Sequence, residues 1–127
     1  MKYKIKKETK PTLTTFGKYK AVAAHHQTID SRQIIKEVSD QYSISEGVVT
    51  AVVWKLAQVI NSHLREGDKV RLHDFGLLKL EIESEKVESP EAFKPHKHIK
   101  GVRLHFLPES QKGKPELYQD IHFEKDL

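Results

Sequence analysis

The chain contains no cysteine, which excludes disulfide staples, thiolate zinc sites and a cysteine nucleophile. Long apolar runs are missing too. The longest falls far below the ~20 residues that cross a bilayer, and no secretory signal pattern opens the sequence. The expectation is a soluble, cytoplasmic protein with no membrane partner. Glycine is sparse, at six residues in 127. None of the glycines builds a phosphate loop or a dinucleotide-binding turn, and no Gly-x-Ser-x-Gly is present. The carboxylates scatter over expected surface faces. These absences point away from an enzyme, and no cofactor or small-molecule substrate is expected.

What is present is polar and lysine-rich. Hydrophobic residues make up 37% and charged residues 31%, enough for one domain with a core, but lean enough that a partner subunit would supply useful burial. The formal net charge is +4, a mild lean toward polyanions. Its distribution is uneven. Residues 1–30 hold seven lysines (Lys2, Lys4, Lys6, Lys7, Lys10, Lys18 and Lys20) against Glu8 and Asp30, and the rest of the chain is close to balanced. A solvated basic strand face is the plain reading of that segment. Residues 2–7 alternate apolar residues with lysine as an edge strand does, and the lysines discourage aggregation through the open edge. Residues 11–17 read as a turn and 18–25 as a second strand, paired with another edge of the same sheet.

The stretch that organises the chain runs from Gly67 to Ile82. Gly67 suits a helix stop. Val70 and Leu72 alternate with Lys69 and Arg71. Phe75-Gly76 makes a turn, after which Leu78, Leu80 and Ile82 share one face of a strand and Lys79, Glu81 and Glu83 the other. Upstream, Asp30 and Ser45 are helix caps, with Ile29 and Ile44 as staples. They start helices over about 31–41 and 46–66, the first turning Ile34, Ile35 and Val38 inward. The second helix carries Val48, Val49, Ala51, Val52, Val53, Leu56, Ala57, Val59, Ile60 and Leu64, more than a single stripe. Two apolar faces follow, one for the chain's own sheet and one for a second copy. The candidate dimer residues are Val49, Val53, Trp54, Leu56 and Ile60, with Phe75 and Phe106 beside them.

A helix followed by Gly-Asp-Lys-Val, a Phe-Gly turn and an alternating strand resembles the HU/IHF family of bacterial histone-like DNA-binding proteins. Gln33-Ile34-Ile35, Ile44-Ser45 and the returning Val102-Arg103-Leu104-His105-Phe106-Leu107-Pro108 extend the match over about residues 30–108. The long flanks resemble an extended HU-like branch found in Bacteroides-type bacteria. The resemblance implies an α+β fold: an intertwined dimer of helical hairpins on a three-stranded antiparallel sheet, with a protruding β-arm and, here, extra terminal strands. The expected organisation is a basic strand extension over 1–28, an HU-like domain over 29–110 and a C-terminal extension over 111–127. Within the domain, strands fall at about 69–73, 77–83 and 101–107, with an arm at about 84–100. A chain break is expected at Gly113-Lys-Pro115, a helical turn at 116–120, and a last strand at 121–123 pairing with the first.

The family's arms wrap the minor groove and insert a proline. The resemblance puts Pro90 at that position, although Glu88 and Glu91 beside it repel phosphates. A rebuilt tip would use Phe93 or Pro95 as wedge, with Lys86, Lys94, Lys97 and Lys100 on phosphates. The other outcome is a folded-back arm with Phe93 simply packed. Arg103, Lys79 and, more weakly, Arg71 would add phosphate contacts from the sheet, and such contacts read no bases. The partner is then double-stranded DNA, bound with low sequence specificity and bent or compacted by a nucleoid-associated homodimer. Two alternatives stay open: an HU-derived protein-interaction module with weak or no DNA binding, and a sequence-specific IHF-like architectural factor. His25-His26, His96-x-His98 and His105 invite a metal site, but adjacent histidines on a strand diverge and no ligand spacing supports one, so no metal is expected.

Overall fold

The computed structural model describes residues 1–111 and 114–127. Two short sheets and a helical hairpin make up most of it. Strands β1 (Lys2–Lys7) and β2 (Tyr19–Ala23) form an antiparallel hairpin, and β8 (Glu124–Lys125) joins the far edge of β1 in parallel, Lys2 beside Glu124 and Tyr3 beside Lys125. This differs from the expectation in two ways. The terminal strands build a sheet of their own, in the order β2-β1-β8, instead of extending the central one. The last strand also pairs three residues later than its apolar stretch, because the Glu124 amide donates to the Met1 carbonyl and the Asp126 amide to that of Tyr3.

Helix α1 spans Ser31–Tyr42, and the Asp30 carboxylate accepts from the Gln33 amide at 3.1 Å. Helix α2 spans Glu46–Arg65, capped by Ser45, whose hydroxyl accepts from the Val48 amide at 3.2 Å. Between them the chain turns at Ser43, in a left-handed conformation, while the buried Ser39 hydroxyl donates to the Ile44 carbonyl. Helix α2 ends where Gly67, at φ 92°, lets its own amide reach the Leu64 carbonyl and the Asp68 amide reach that of His63, the double closure that glycine favours.

The central sheet orders β3 (Val70–Leu72), β4 (Gly76–Ser84) and β5 (Ile99–Pro108) as an antiparallel meander. Cross-strand pairs Leu78–Phe106, Leu80–Leu104 and Ile82–Val102 put the apolar residues on one face. Gly76 is required at the turn: a Cβ there would run into the Leu107 carbonyl and the Phe106 ring. The Phe75 and Phe106 rings lie 4.9 Å apart at the same corner. Beyond β5, β6 (Ser110–Gln111) and β7 (Lys114–Pro115) form a small ladder, and a 3-10 turn covers Glu116–Tyr118. The expected break at Gly113 lies outside the described residues.

The single chain buries little. Ile35, Val49 and Leu64 are the buried apolar side chains among the described residues. Of the three α1 residues expected inward, Ile34 and Val38 stay partly exposed, because one copy of the chain leaves that flank of the hairpin uncovered. No described helix is long and apolar enough to cross a membrane.

Candidate nucleic-acid interface

At the outer end of the β4–β5 ribbon Ile82 and Val102 are 64% and 61% exposed. There the strands stop, and residues 85–98 do not continue them as a two-stranded arm. They fold into a 3-10 turn (Pro90–Ala92) and a one-turn helix α3 (Pro95–His98). The reason is local. His98 is buried; its Nδ1 accepts from the Lys94 amide at 2.9 Å, its carbonyl accepts from the Glu85 amide at 2.8 Å, and its ring lies 5.5 Å from that of Phe93. The tip is a closed knot around one histidine.

This placement sorts the wedge candidates. Phe93 is half-buried against His98 and is not free to insert. Pro90 and Pro95 are exposed, each opening its short turn. Lys86, Lys94 and Lys97 are exposed on the knot and carry no ion pair among the described residues, whereas Lys100 pairs with Glu85 at 3.0 Å.

The outward face of the sheet is charged but largely self-neutralised. Register puts Arg71, Lys79 and Glu81 on it with Arg103 and His105. Glu81 stands 3.6 Å from Lys79, 3.6 Å from Arg103 and 4.0 Å from His105, and Glu83 lies 3.9 Å from Arg103. Arg71 grips Glu109 with two nitrogens, Nε at 3.2 Å. That hydrogen bond holds the Glu109 carboxyl below the usual carboxylate range, against the opposing effect of desolvation, and raises Arg71. The alternation placed these cations correctly on one face. Their carboxylate partners come from the same strand for Lys79, from the adjacent strand for Arg103 and from beyond the end of β5 for Arg71.

The dimer candidates divide between two stripes of α2. Val49 is buried and Val53 and Ile60 are half-buried, in line with Leu64, so this stripe serves the chain's own packing. Leu56 belongs to the other stripe, with Val48, Val52 and Val59, all 43–59% exposed. The spacing of three and four residues places Val48, Val52, Leu56 and Val59 on one helix face. Trp54 is 63% exposed and, with Ile35, Asp30 and Glu46, lines an open cavity beside the helix starts. Phe75 is exposed and Phe106 half-buried at the turn. Among the described residues no three His, Asp or Glu gather as a metal site.

No curated protein matches the chain. A solved structure from Bacteroides vulgatus, described as a "Putative bacterial DNA binding protein", aligns at a TM-score of 0.64 and 11% identity, covering 98% of this chain and 47% of that one. At that identity the likeness speaks for the fold, and this chain spans about half the length of its neighbour. The family model whose description is HU domain fused to wHTH, Ig, or glycine-rich motif matches residues 1–125. With an α-helical hairpin, a Phe-Gly turn and the β4–β5 ribbon inside a match that covers nearly the whole chain, the chain belongs to the HU-HIG family.

Proposed function

We propose that the protein is an HU-like homodimer that binds duplex DNA with low sequence specificity and bends or compacts it. The observation that carries this is the uncovered stripe Val48, Val52, Leu56 and Val59 on α2 of a chain that buries almost nothing alone. Pairing two copies through it covers that stripe and brings two ribbons to one side of the assembly. Family membership and the description of the Bacteroides vulgatus neighbour support DNA as the partner. Lys86, Lys94 and Lys97 on the knot then contact phosphates, with Arg103 and Lys79 as partly neutralised helpers and Lys100 released from Glu85 on binding. Pro90 and Pro95 are the remaining wedges. Helix α1, with Arg32 and Lys36 against Glu37 and Asp40, offers no cationic reading head for the major groove, which supports selection by deformability over base readout.

A second reading rests on one observation: Glu81 engages both Lys79 and Arg103 of the sheet face, with His105 at 4.0 Å. A surface so balanced suits an HU-derived protein-interaction module with weak DNA binding. Gel shifts of random duplex, with and without a nick, from 50 to 200 mM salt separate the two. The DNA-binding reading expects a shift that weakens steeply with salt, stronger for nicked duplex. No shift at 50 mM sinks it.

A further inference from the structure

The positive charge of the chain lies elsewhere than on the ribbon. In the terminal sheet, strand alternation and register put Lys2, Lys4 and Lys6 of β1 on one face with Lys20 of β2, and Lys6 stands directly opposite Lys20. None of these four lysines has an ion-pair partner among the described residues. Like charges directly opposed across two strands destabilise the pair, so the arrangement is costly unless an anion lies over it. At the turn end, Lys6, Lys10 and Lys20 line a cavity of about 250 Å³ with Lys7, Glu8 and Thr9. The one carboxylate there is that of Glu8, whose Oε1 accepts from the Lys10 amide at 3.0 Å. The opposite face is apolar, with Tyr3, Ile5, Ala21, Ala23 and Phe123 along a shallow groove, and Lys7 on that side lies over the Tyr19 ring at 5.9 Å. The sheet is thus two-faced: Glu124 of β8 stands beside Lys2 on the lysine face without an ion pair to it, whereas the cations of the β4–β5 ribbon are matched by Glu81, Glu83 and Glu85.

We infer that the Lys2–Lys4–Lys6–Lys20 face of the terminal sheet is a phosphate-binding surface that lies along the backbone of the duplex and supplies more of the electrostatic affinity than the ribbon does. This rests on the DNA-binding reading above and moves its main charged contact to a different element. Lysines at every second position of a strand recur about every 6.8 Å, so Lys2 to Lys6 spans ~13 Å, about four axial steps of a DNA strand at ~3.4 Å each. Such a ladder neutralises phosphates and reads no bases. Lys10, beside Lys6 and Lys20 in the cavity that Glu8 also lines, extends the ladder at the turn end.

The test uses the full chain with Lys4→Gln, Lys6→Gln and Lys20→Gln combined, measured against random duplex from 50 to 200 mM salt. The slope of log affinity against log salt falls by about 0.9 for each phosphate that is no longer neutralised, and affinity at 0.1 M drops at least roughly tenfold. The same variant melts no lower than the wild type, because the Lys6–Lys20 repulsion is removed. A companion variant, Lys94→Gln with Lys97→Gln, shows a smaller fall in slope. If the sheet variant keeps the wild-type slope while the companion does not, the inference is overturned and the DNA-binding reading stands. If the wild type binds no duplex at low salt, or binds only vesicles of anionic phospholipid, both are overturned.

Discussion

Arg71 and Glu109 lie thirty-eight positions apart in sequence and are joined by two hydrogen bonds on the outward sheet face. The bond from Arg71 lowers the Glu109 carboxyl below its usual range, so the pair stabilises the fold above the unfolded carboxylate value of ~4.3 and stops doing so as pH falls through the lowered folded value. Arg71, raised by the same contact, stays charged throughout. Arg71 is exposed and Glu109 half-buried at the surface, so solvent screens the pair and the effect is small. Melting curves of wild type and Glu109→Gln are expected to differ at pH 7, wild type higher, and to converge on acidification below ~4. A gap that persists in acid would mean the side chain acts by packing. Only half of this pair is legible in the sequence. Alternation along 69–72 puts Arg71 outward, which is a local property. Its partner is fixed by where β5 ends beside the β3–β4 turn, the Glu109 amide donating to the Phe75 carbonyl, which is not. The same holds for Arg103, whose neighbours Glu81 and Glu83 come from the adjacent strand.

Among the elements, the helices were legible because their ends carry chemistry. Asp30 and Ser45 accept amide bonds at the starts, and Gly67 takes the left-handed turn that closes α2. The alternation of 77–82 and 102–107 likewise marks β4 and β5. Residues 85–98 have no apolar period, only Pro90 and Pro95 opening two short turns, and these turns are tied together around the buried imidazole of His98. His98→Ala removes the acceptor of the Lys94 amide and the ring against Phe93. An orphaned donor of this kind costs about 1–3 kcal/mol, enough to open a local element without unfolding the rest. Hydrogen exchange is expected to show reduced protection at the Lys94 and Glu85 amides, with β4 and α2 unaffected. Unchanged protection would mean that the ribbon itself holds the tip.

For the whole molecule, the small buried core matters most. A chain of this length with three buried apolar side chains among those described has little to offset the entropy of folding, and the proposed dimer supplies what is missing. Val52→Glu places a charge in the middle of the exposed α2 stripe. Full burial of such a side chain contributes about 1.5–3 kcal/mol, and a carboxylate forced into the same place costs more. Sedimentation at micromolar concentration is expected to show a dimer for the wild type and a monomer for Val52→Glu, and the melting temperature should rise with concentration only for the wild type. A wild-type monomer would remove the dimer, and with it the paired ribbons. That two faces exist on α2 was visible from its excess of apolar residues. Which valine belongs to which face required the sheet to be in place.

The parallel pairing of β1 with β8 also fixes an order of events during synthesis. Its two members are separated by most of the chain, so closing that loop is among the slowest steps available. Until residues 121–125 have been made, β1 has only its hairpin neighbour, and the edge later covered by β8 is open to strands of other nascent chains. Lysines at positions 2, 4 and 6 keep those chains apart by repulsion, so the residues argued above to hold DNA would first serve as a guard against misassembly.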